Sequence, residues 1–153
     1  MALEMNTIGI RLKYAIEASA GTRPTTGYTE IPDIKSTPEF QRSPSELEVT
    51  NLIDTDKRYI PGVKDSGGDK TFTANKTKNL KTIWASAVTA AQAAFASGKQ
   101  TWWEIVFPDD DSFYFSGQPN PMGVNSMGVD AVQEVDLHIM PAEIAGFAAA
   151  STT

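Results

Sequence analysis

Glu134, Asp136 and His138 are the side chains whose types and spacing come nearest to chemistry. On a strand over Asp130–Met140 they share one face, with Val135, Leu137 and Ile139 on the other. Two carboxylates and an imidazole so arranged could serve general acid–base catalysis. A strand with one wet face, however, places its polar residues there for solvation alone, and no candidate nucleophile lies nearby in the sequence. The run Asp109-Asp110-Asp111 suggests calcium, but it lacks the D-x-D-x-D-G spacing and the later bidentate Glu of such loops. A solvated hairpin tip explains it better. The glycines of Gly117–Gly128 (GQPNPMGVNSMG) match neither a Walker nor a dinucleotide fingerprint, and no helix signal follows them. The chain has no cysteine, which excludes disulfides, thiolate metal sites and cysteine nucleophiles, and its single histidine argues against a His-based metal cluster. The expectation is a protein that is not an enzyme and carries no cofactor or metal.

The totals fit that expectation. At 153 residues the chain fits one domain with a real core, and 41% apolar with 21% charged residues is ordinary for a globular protein. The net charge of −6 is unevenly placed. Residues 1–78 carry 11 Lys/Arg against 11 Asp/Glu, whereas residues 79–153 carry 2 against 8. An acidic surface repels phosphate backbones, so nucleic-acid binding through basic contacts is not expected; solubility alone is the plainer account of the charge. The opening MALEMNTIGI has no basic segment or long apolar run, and no stretch is long enough to span a bilayer. No signal peptide and no membrane insertion are expected, and folding in a reducing cytoplasm is.

The elements that would position these residues are mostly strands. Ile8–Glu17 alternates, with Ile8, Ile10, Leu12, Tyr14 and Ile16 on one face. Tyr28–Ile34 can form a short strand that Pro32 confines to an edge or a bulge, and residues 35–45 read as a connection. Between Thr77 or Asn79 as cap and Gly98 as terminator, Leu80, Ile83, Trp84, Ala87, Val88, Ala91, Ala94 and Phe95 recur every three or four residues, predicting an amphipathic helix that covers a sheet. Thr101–Phe107 and Phe113–Phe115 predict a hairpin around Pro108–Asp111, with Gly117–Gly128 as loop. The domain is expected over residues 1–141, with residues 142–153 as a flexible tail.

One segment does not fit a compact hairpin. Leu47–Leu52 alternates as a strand, and so does Lys70–Lys76, with Phe72 and Ala74 on one face. About sixteen residues lie between them, where hairpin loops take about two to five. The segment holds Tyr59, Ile60, Pro61 and Val63, apolar groups that gain by being covered, so an arm that packs on another protein molecule is expected. The fold class is mainly β with one α-helix: an antiparallel sandwich or barrel flanked by the helix, with this long extended loop.

That order of elements resembles the major tail tube proteins of long-tailed, siphovirus-like bacteriophages over roughly residues 7–141. The resemblance rests on Leu47–Leu52, then Asp54-Thr55-Asp56-Lys57-Arg58-Tyr59-Ile60-Pro61-Gly62, then Phe72 in the returning strand. The Ala-rich helix after Asn79 and the Trp-Trp-Glu-Ile hairpin with aspartates at its tip complete it; Arg58–Gly62 is its most specific phrase. It implies a structural virion protein that forms hexameric rings stacked into a tube, the conduit for DNA delivery. Strands of neighbouring subunits would join into an inner barrel, and the loop would reach the adjacent ring. Asp56, Lys57, Arg58, Tyr59, Ile60, Pro61 and Val63 would then make the contacts between subunits or rings, with Tyr59, Ile60 and Pro61 foremost. Glu46, Glu48, Glu134 and Asp136 are the candidates for an acidic lumen, past which DNA would slide without specific binding. Implied partners are further copies of the chain and the tape measure, tail terminator and distal tail proteins. The implied location is the virion tail, after assembly in the cytoplasm of a bacterial host. Some relatives carry a further immunoglobulin-like domain, which this sequence does not reach. Two alternatives stand beside this reading: an inner-tube subunit of a phage-derived contractile particle or secretion system, and a small ligand-binding β-sandwich module.

Overall fold

A computed structural model describes residues 9–41, 44–64 and 68–151, without the side chains of Pro44, Val63 and Lys64. Its elements in chain order are β1 (Arg11–Ile16), β2 (Thr29–Ile31), β3 (Ile34–Ser36), β4 (Pro44–Glu48), β5 (Tyr59–Lys64), β6 (Lys70–Asn75), α1 (Lys78–Ala96), β7 (Thr101–Val106), β8 (Asp111–Pro119) and β9 (Glu134–Ala149). The chain divides into two compact units, one containing the residues up to Pro38 and from Asp69 onward, the other Glu39–Gly68.

The first unit is one seven-stranded antiparallel sheet in the order β2-β1-β7-β8-β9-β6-β3. Its connectivity forces the sheet to curl. β2 and β3 lie on opposite edges, yet only Pro32 and Asp33 separate them in the chain. Three peptide steps of about 3.8 Å hold Ile31 and Ile34 within about 11 Å of each other, so the two edges nearly meet. Asp33 makes the turn at φ 63°, a left-handed conformation that Asp tolerates better than most residues. Curvature shows again where Phe72 on β6 and Phe115 on β8 stack at 6.3 Å across the intervening β9. Alternate strands of a flat sheet would stand about 9.5 Å apart. The result is the expected class: mostly β, antiparallel, nearly closed, with one flanking helix.

The helix covers the concave face. Thr77 caps it by accepting the Leu80 N–H at 3.1 Å, and Gly98 at φ 78° follows its end, as the sequence predicts. Leu80, Trp84, Ala87, Val88, Ala91 and Ala94 are buried. Leu12, Phe72, Trp103, Ile105, Phe115, Val135, Leu137 and Ile139 of the sheet are buried too. Trp84 lies 5.5 Å from Trp103 and donates its indole N–H to the Asn120 carbonyl at 2.9 Å, so this large ring has both an apolar neighbour and a satisfied donor. Phe95 departs from the expected stripe and is 70% exposed, because Ala94 takes the inward position in the last turn.

The other face is wet only in part. Across β1, β7 and β8 it is covered by the segment after β1, and carries a buried carboxylate, Glu104, which accepts from the Tyr114 hydroxyl at 2.8 Å and from Ser151 N–H and Oγ at 2.8 and 2.7 Å. Arg23 sits 4.0 Å over the Tyr114 ring. Glu17, also buried, accepts from the Gln100 and Gly21 N–H groups and from the Trp102 indole. The alternation of TWWEIVF therefore separates two buried faces rather than a buried and a hydrated one.

Several boundaries differ from the sequence reading. Ile8 lies outside the described residues, and β1 starts at Arg11. Tyr28–Ile34 is divided between two strands of three residues, one at each edge of the sheet. β8 continues through Gly117 to Pro119. The last strand does not stop at Met140: it runs to Ala149 and pairs with β8, so residues 142–149, expected as tail, are strand. Pro141 does not end the strand, because register shifts at Tyr114/Phe115 and Ser116/Gly117 bend the pair around it. At the second shift β8 and β9 approach closely. A Cβ on Gly117 would lie 2.6 Å from the Met140 carbonyl oxygen and 2.9 Å from Ile139 Cγ2. Gly117→Ala is therefore expected to lower stability by about 1–3 kcal/mol, read as a reduced urea midpoint at constant m-value. An unchanged midpoint would show that the two strands can part there at no cost.

Candidate assembly surfaces

The second unit is the segment expected as an extended loop. It is a two-stranded antiparallel hairpin, in which Glu46, Leu47 and Glu48 of β4 face Pro61, Ile60 and Tyr59 of β5. The strand starting at Pro44 thus finds its partner inside the segment and does not pair with β6, as a simple strand–loop–strand reading implies. Leu52 is in a turn rather than in the strand Leu47–Leu52. The insertion's flanks are held side by side, because β3, which precedes it, pairs with β6, which follows it.

The loop of this hairpin is built by side-chain bonds. Asn51 Oδ1 accepts from the Ile53 and Asp54 N–H groups at 2.9 and 3.2 Å. Asp54 Oδ2 accepts from the Asn51 N–H and from Arg58 Nε, both at 2.9 Å. Thr50 Oγ1 takes the Arg58 N–H at 2.9 Å. These Asx-type closures fix the turn without a core. They leave Leu52 and Ile53, 106% and 90% exposed, at its apex.

The sequence-predicted contact residues all fall in this hairpin. Asp56, Lys57 and Arg58 lie in its loop, and Tyr59, Ile60, Pro61 and Val63 lie on β5, with Tyr59 and Ile60 about half exposed and the Val63 side chain outside the described residues. Glu46 and Glu48 are exposed on β4 of the same hairpin. Glu134 and Asp136 stand on β9 in the other unit, so the four lumen candidates are divided between the two units. Glu134 pairs with Lys35, and Asp136 accepts from Thr73 Oγ1 at 3.3 Å. His138 Nδ1 lies 2.7 Å from Asp69 and 3.1 Å from Thr71 Oγ1. This β6–β9 face is a ladder of short polar pairs, not a cleft with a reactive group at its base. Asp109 and Asp110 form an exposed hairpin tip, with Asp110 at φ 63°. Among the described residues no three or more His, Asp or Glu side chains gather to hold a metal ion.

Sequence reasoning missed two surfaces. One is the apex pair Leu52–Ile53, which the sequence pattern assigns to a strand end and polar loop; two adjacent branched apolar residues between Asn51 and Asp54 were the available signal. The other is an unpaired edge. β9 pairs with β6 only over Glu134–Ile139 and with β8 from Ile139 to Ala149. Along Met140–Ala149 its second edge has no strand partner among the described residues. Met140 and Phe147 beside it are 50% and 66% exposed. Such an edge is a template for another chain.

No family model and no curated protein matches the sequence. Solved structures do. A chain in the tail of an empty GTA particle, refined helically with C6 symmetry, aligns over 98% of this chain and 100% of its own, with TM-score 0.56 and 11% identity. One from the virion of a native gene transfer agent particle aligns over 98% and 100%, with TM-score 0.55 and 12% identity. One from the 6-fold symmetrised baseplate of the anti-feeding prophage aligns over 97% and 98%, with TM-score 0.58 and 8% identity. These likenesses establish the fold. They span both units, hairpin included, so the arm belongs to the shared architecture and is not an addition to it.

Proposed function

We propose that this chain is a structural subunit of a phage-type tail tube, polymerising as stacked hexameric rings that conduct DNA. The observation that carries the proposal is the end-to-end fold likeness to a chain in a helical, six-fold symmetric tail. Three features of the chain support it. The β9 edge over Met140–Ala149 can take a strand from a lateral neighbour. The hairpin of Glu39–Gly68 can reach an axial one. The polar face of Thr71, Thr73, Glu134, Asp136 and His138 suits a hydrated lumen, as do Glu46 and Glu48. Copies of itself are the principal partners, with the tape measure, terminator and distal tail proteins at its interior and ends, and the virion tail, assembled in the bacterial cytoplasm, is its location.

Likeness to a chain of the anti-feeding prophage baseplate supports a second reading, in which the subunit belongs to the inner tube of a contractile, phage-derived particle. Sheath and effector genes beside this one would favour that reading, and a terminase gene the first. Negative-stain images of the purified protein test both: rings or tubes are expected, and a chain that stays monomeric at high concentration overturns them. A small ligand-binding module would instead show one saturable site and no polymer. The groove between α1 and Pro121–Met122, about 310 Å³, offers such a module mainly Trp84, Ala85 and Val88 with few polar groups to orient a ligand.

The lumen assignment makes its own prediction. Glu134→Lys with Asp136→Lys in assembled tubes is expected to create DNA retention that weakens steeply with salt, because basic groups release counterions on meeting phosphate. Retention in a filter assay at low salt, absent from the unsubstituted tube, is the expected result. No retention in intact tubes would place β9 away from the lumen.

A further inference from the structure

β9 changes character at Met140. From Glu134 to Ile139 its inward side chains are buried, whereas no side chain from Met140 to Ala149 is. That extension reads MPAEIAGFAA, and alanine, glycine and proline are poor strand formers. Neither burial nor propensity keeps it extended, and its only strand partner there is β8, so by itself it would fray. It is fastened at three places instead. Glu143 gives its N–H to Ser116 Oγ at 3.1 Å. The Phe147 ring packs against those of Phe107 and Phe113, at 5.9 and 5.2 Å between centroids. The third fastening closes the end. The Ala149 carbonyl accepts from the Tyr114 hydroxyl at 2.7 Å, and Ala150 gives its N–H to the Asp110 carbonyl at 3.1 Å. The chain then reaches past β8 to β7, where Ser151 gives both its N–H and its hydroxyl to the Glu104 carboxylate, at 2.8 and 2.7 Å. Glu104 is fully buried, and bonds to a carboxylate shielded from water are stronger than those between neutral, exposed groups.

We infer that Ser151 and Glu104 form a latch. Closed, it holds the extension of β9 as a strand whose free edge can pair with an edge strand of a second copy; open, it lets that edge fray. The inference rests on the tube reading above and names what keeps the docking edge ordered. Unburied side chains on a backbone fastened at three places leave the backbone as the part in use. Glu143 carries the only charge along Met140–Ala149, so a strand of the same chain brought alongside meets little repulsion. A strand already extended also binds without having to order its backbone at that moment, so the latch acts on association more than on the core.

Ser151→Pro removes both donors, whereas Ser151→Thr keeps both. Hydrogen exchange of the purified proteins reads the latch directly. In Ser151→Pro the β8-bonded amides from Ile144 to Ala149 are expected to exchange about tenfold faster, while amides of β1 and β6 keep their native rates and Ser151→Thr behaves as the native chain. Unchanged exchange over Ile144–Ala149, or an equal gain in every strand, overturns the latch. Sedimentation and electron microscopy read its consequence: rings are expected to need about tenfold more Ser151→Pro protein than native protein. The chain has no native cysteine, so Asp111→Cys with Ala149→Cys, which face each other across β8 and β9, gives a second fastening at the same end. Oxidised, that pair is expected to restore rings to the Ser151→Pro chain; reduced, it is not. Normal rings from a frayed edge overturn the link to assembly. If the native chain forms no ring or tube, the tube reading fails and that link with it, while hydrogen exchange still decides the latch.

Discussion

Replacing Glu39–Gly68 by a Gly/Ser link of about five residues is expected to give a folded protein that forms rings but no tubes. The link is feasible because β3 and β6 pair on either side of the insertion, with Ser36 facing Thr73, so the ends to be joined already lie side by side. The sheet loses no strand: all of β1–β3 and β6–β9 lie outside the excised segment, as do the buried aromatic rings of the core. A shorter closed loop also costs slightly less entropy, so the melting temperature is expected to hold or rise slightly. Axial growth has no such protection, because every residue predicted from the sequence to bridge subunits lies in the segment removed. The lateral pairing proposed for the β9 edge does not involve this segment. Sedimentation velocity with electron microscopy reads the two levels separately. Tubes of normal length from the excised protein would reject an axial role for the hairpin. Loss of rings as well as tubes would assign it to the lateral contact.

The strands and helix that this experiment leaves untouched were legible in the sequence for simple reasons. α1 shows a period near 3.6 with a Thr cap and a Gly terminator, and a helix of this kind needs only local signals. β6 alternates because one of its faces meets the core and the other meets water. Legibility failed wherever a residue's environment came from distant parts of the chain. Glu104 reads as the polar face of a strand, yet it is buried because Ser151, 47 residues later, closes over it. Residues 142–149 read as a small-residue tail, yet β8 gives them a ladder partner through two register shifts that no local pattern announces. The hairpin was visible as an anomaly of length and apolar content. Its inner pairing was hidden because Pro61 and Gly62 weaken the strand signal of β5. Among the site residues, chemical type and exposure were readable; the division of the four acidic candidates between two units was not.

Removing the Glu104 carboxylate should have the largest effect on stability of any single change considered. Three donors converge on it from Tyr114 and Ser151 at a buried position. Glu104→Ala leaves the two Ser151 donors unpaired and opens a cavity, while the Tyr114 hydroxyl keeps the Ala149 carbonyl at 2.7 Å; the change is expected to cost about 4 kcal/mol and about 10 °C in melting temperature. Glu104→Gln is expected to cost less, about 1–2 kcal/mol, because the Ser151 hydroxyl can rotate and accept from the new amide while the remaining oxygen keeps the other donors. The native group also carries a pH signature. Burial pushes its pKa up, but bonds from Ser151 and Tyr114 outweigh burial and hold it below the ordinary glutamate value. Glu17 is shifted the same way, with burial opposed by the bonds from Gln100, Trp102 and Gly21. A carboxyl whose folded pKa is depressed adds stability that is complete above the unfolded value, near 4.3, and is lost as pH falls through the folded one. Urea midpoints of the native chain and the Glu104→Gln variant should thus differ at pH 7 and draw together as pH falls below about 4.3 and through the lower folded pKa, beyond which both carry an uncharged group. A difference that is constant across that range would mean that Glu104 stays protonated in the folded protein at all these pH values. Its role would then be to donate a hydrogen bond rather than to accept three.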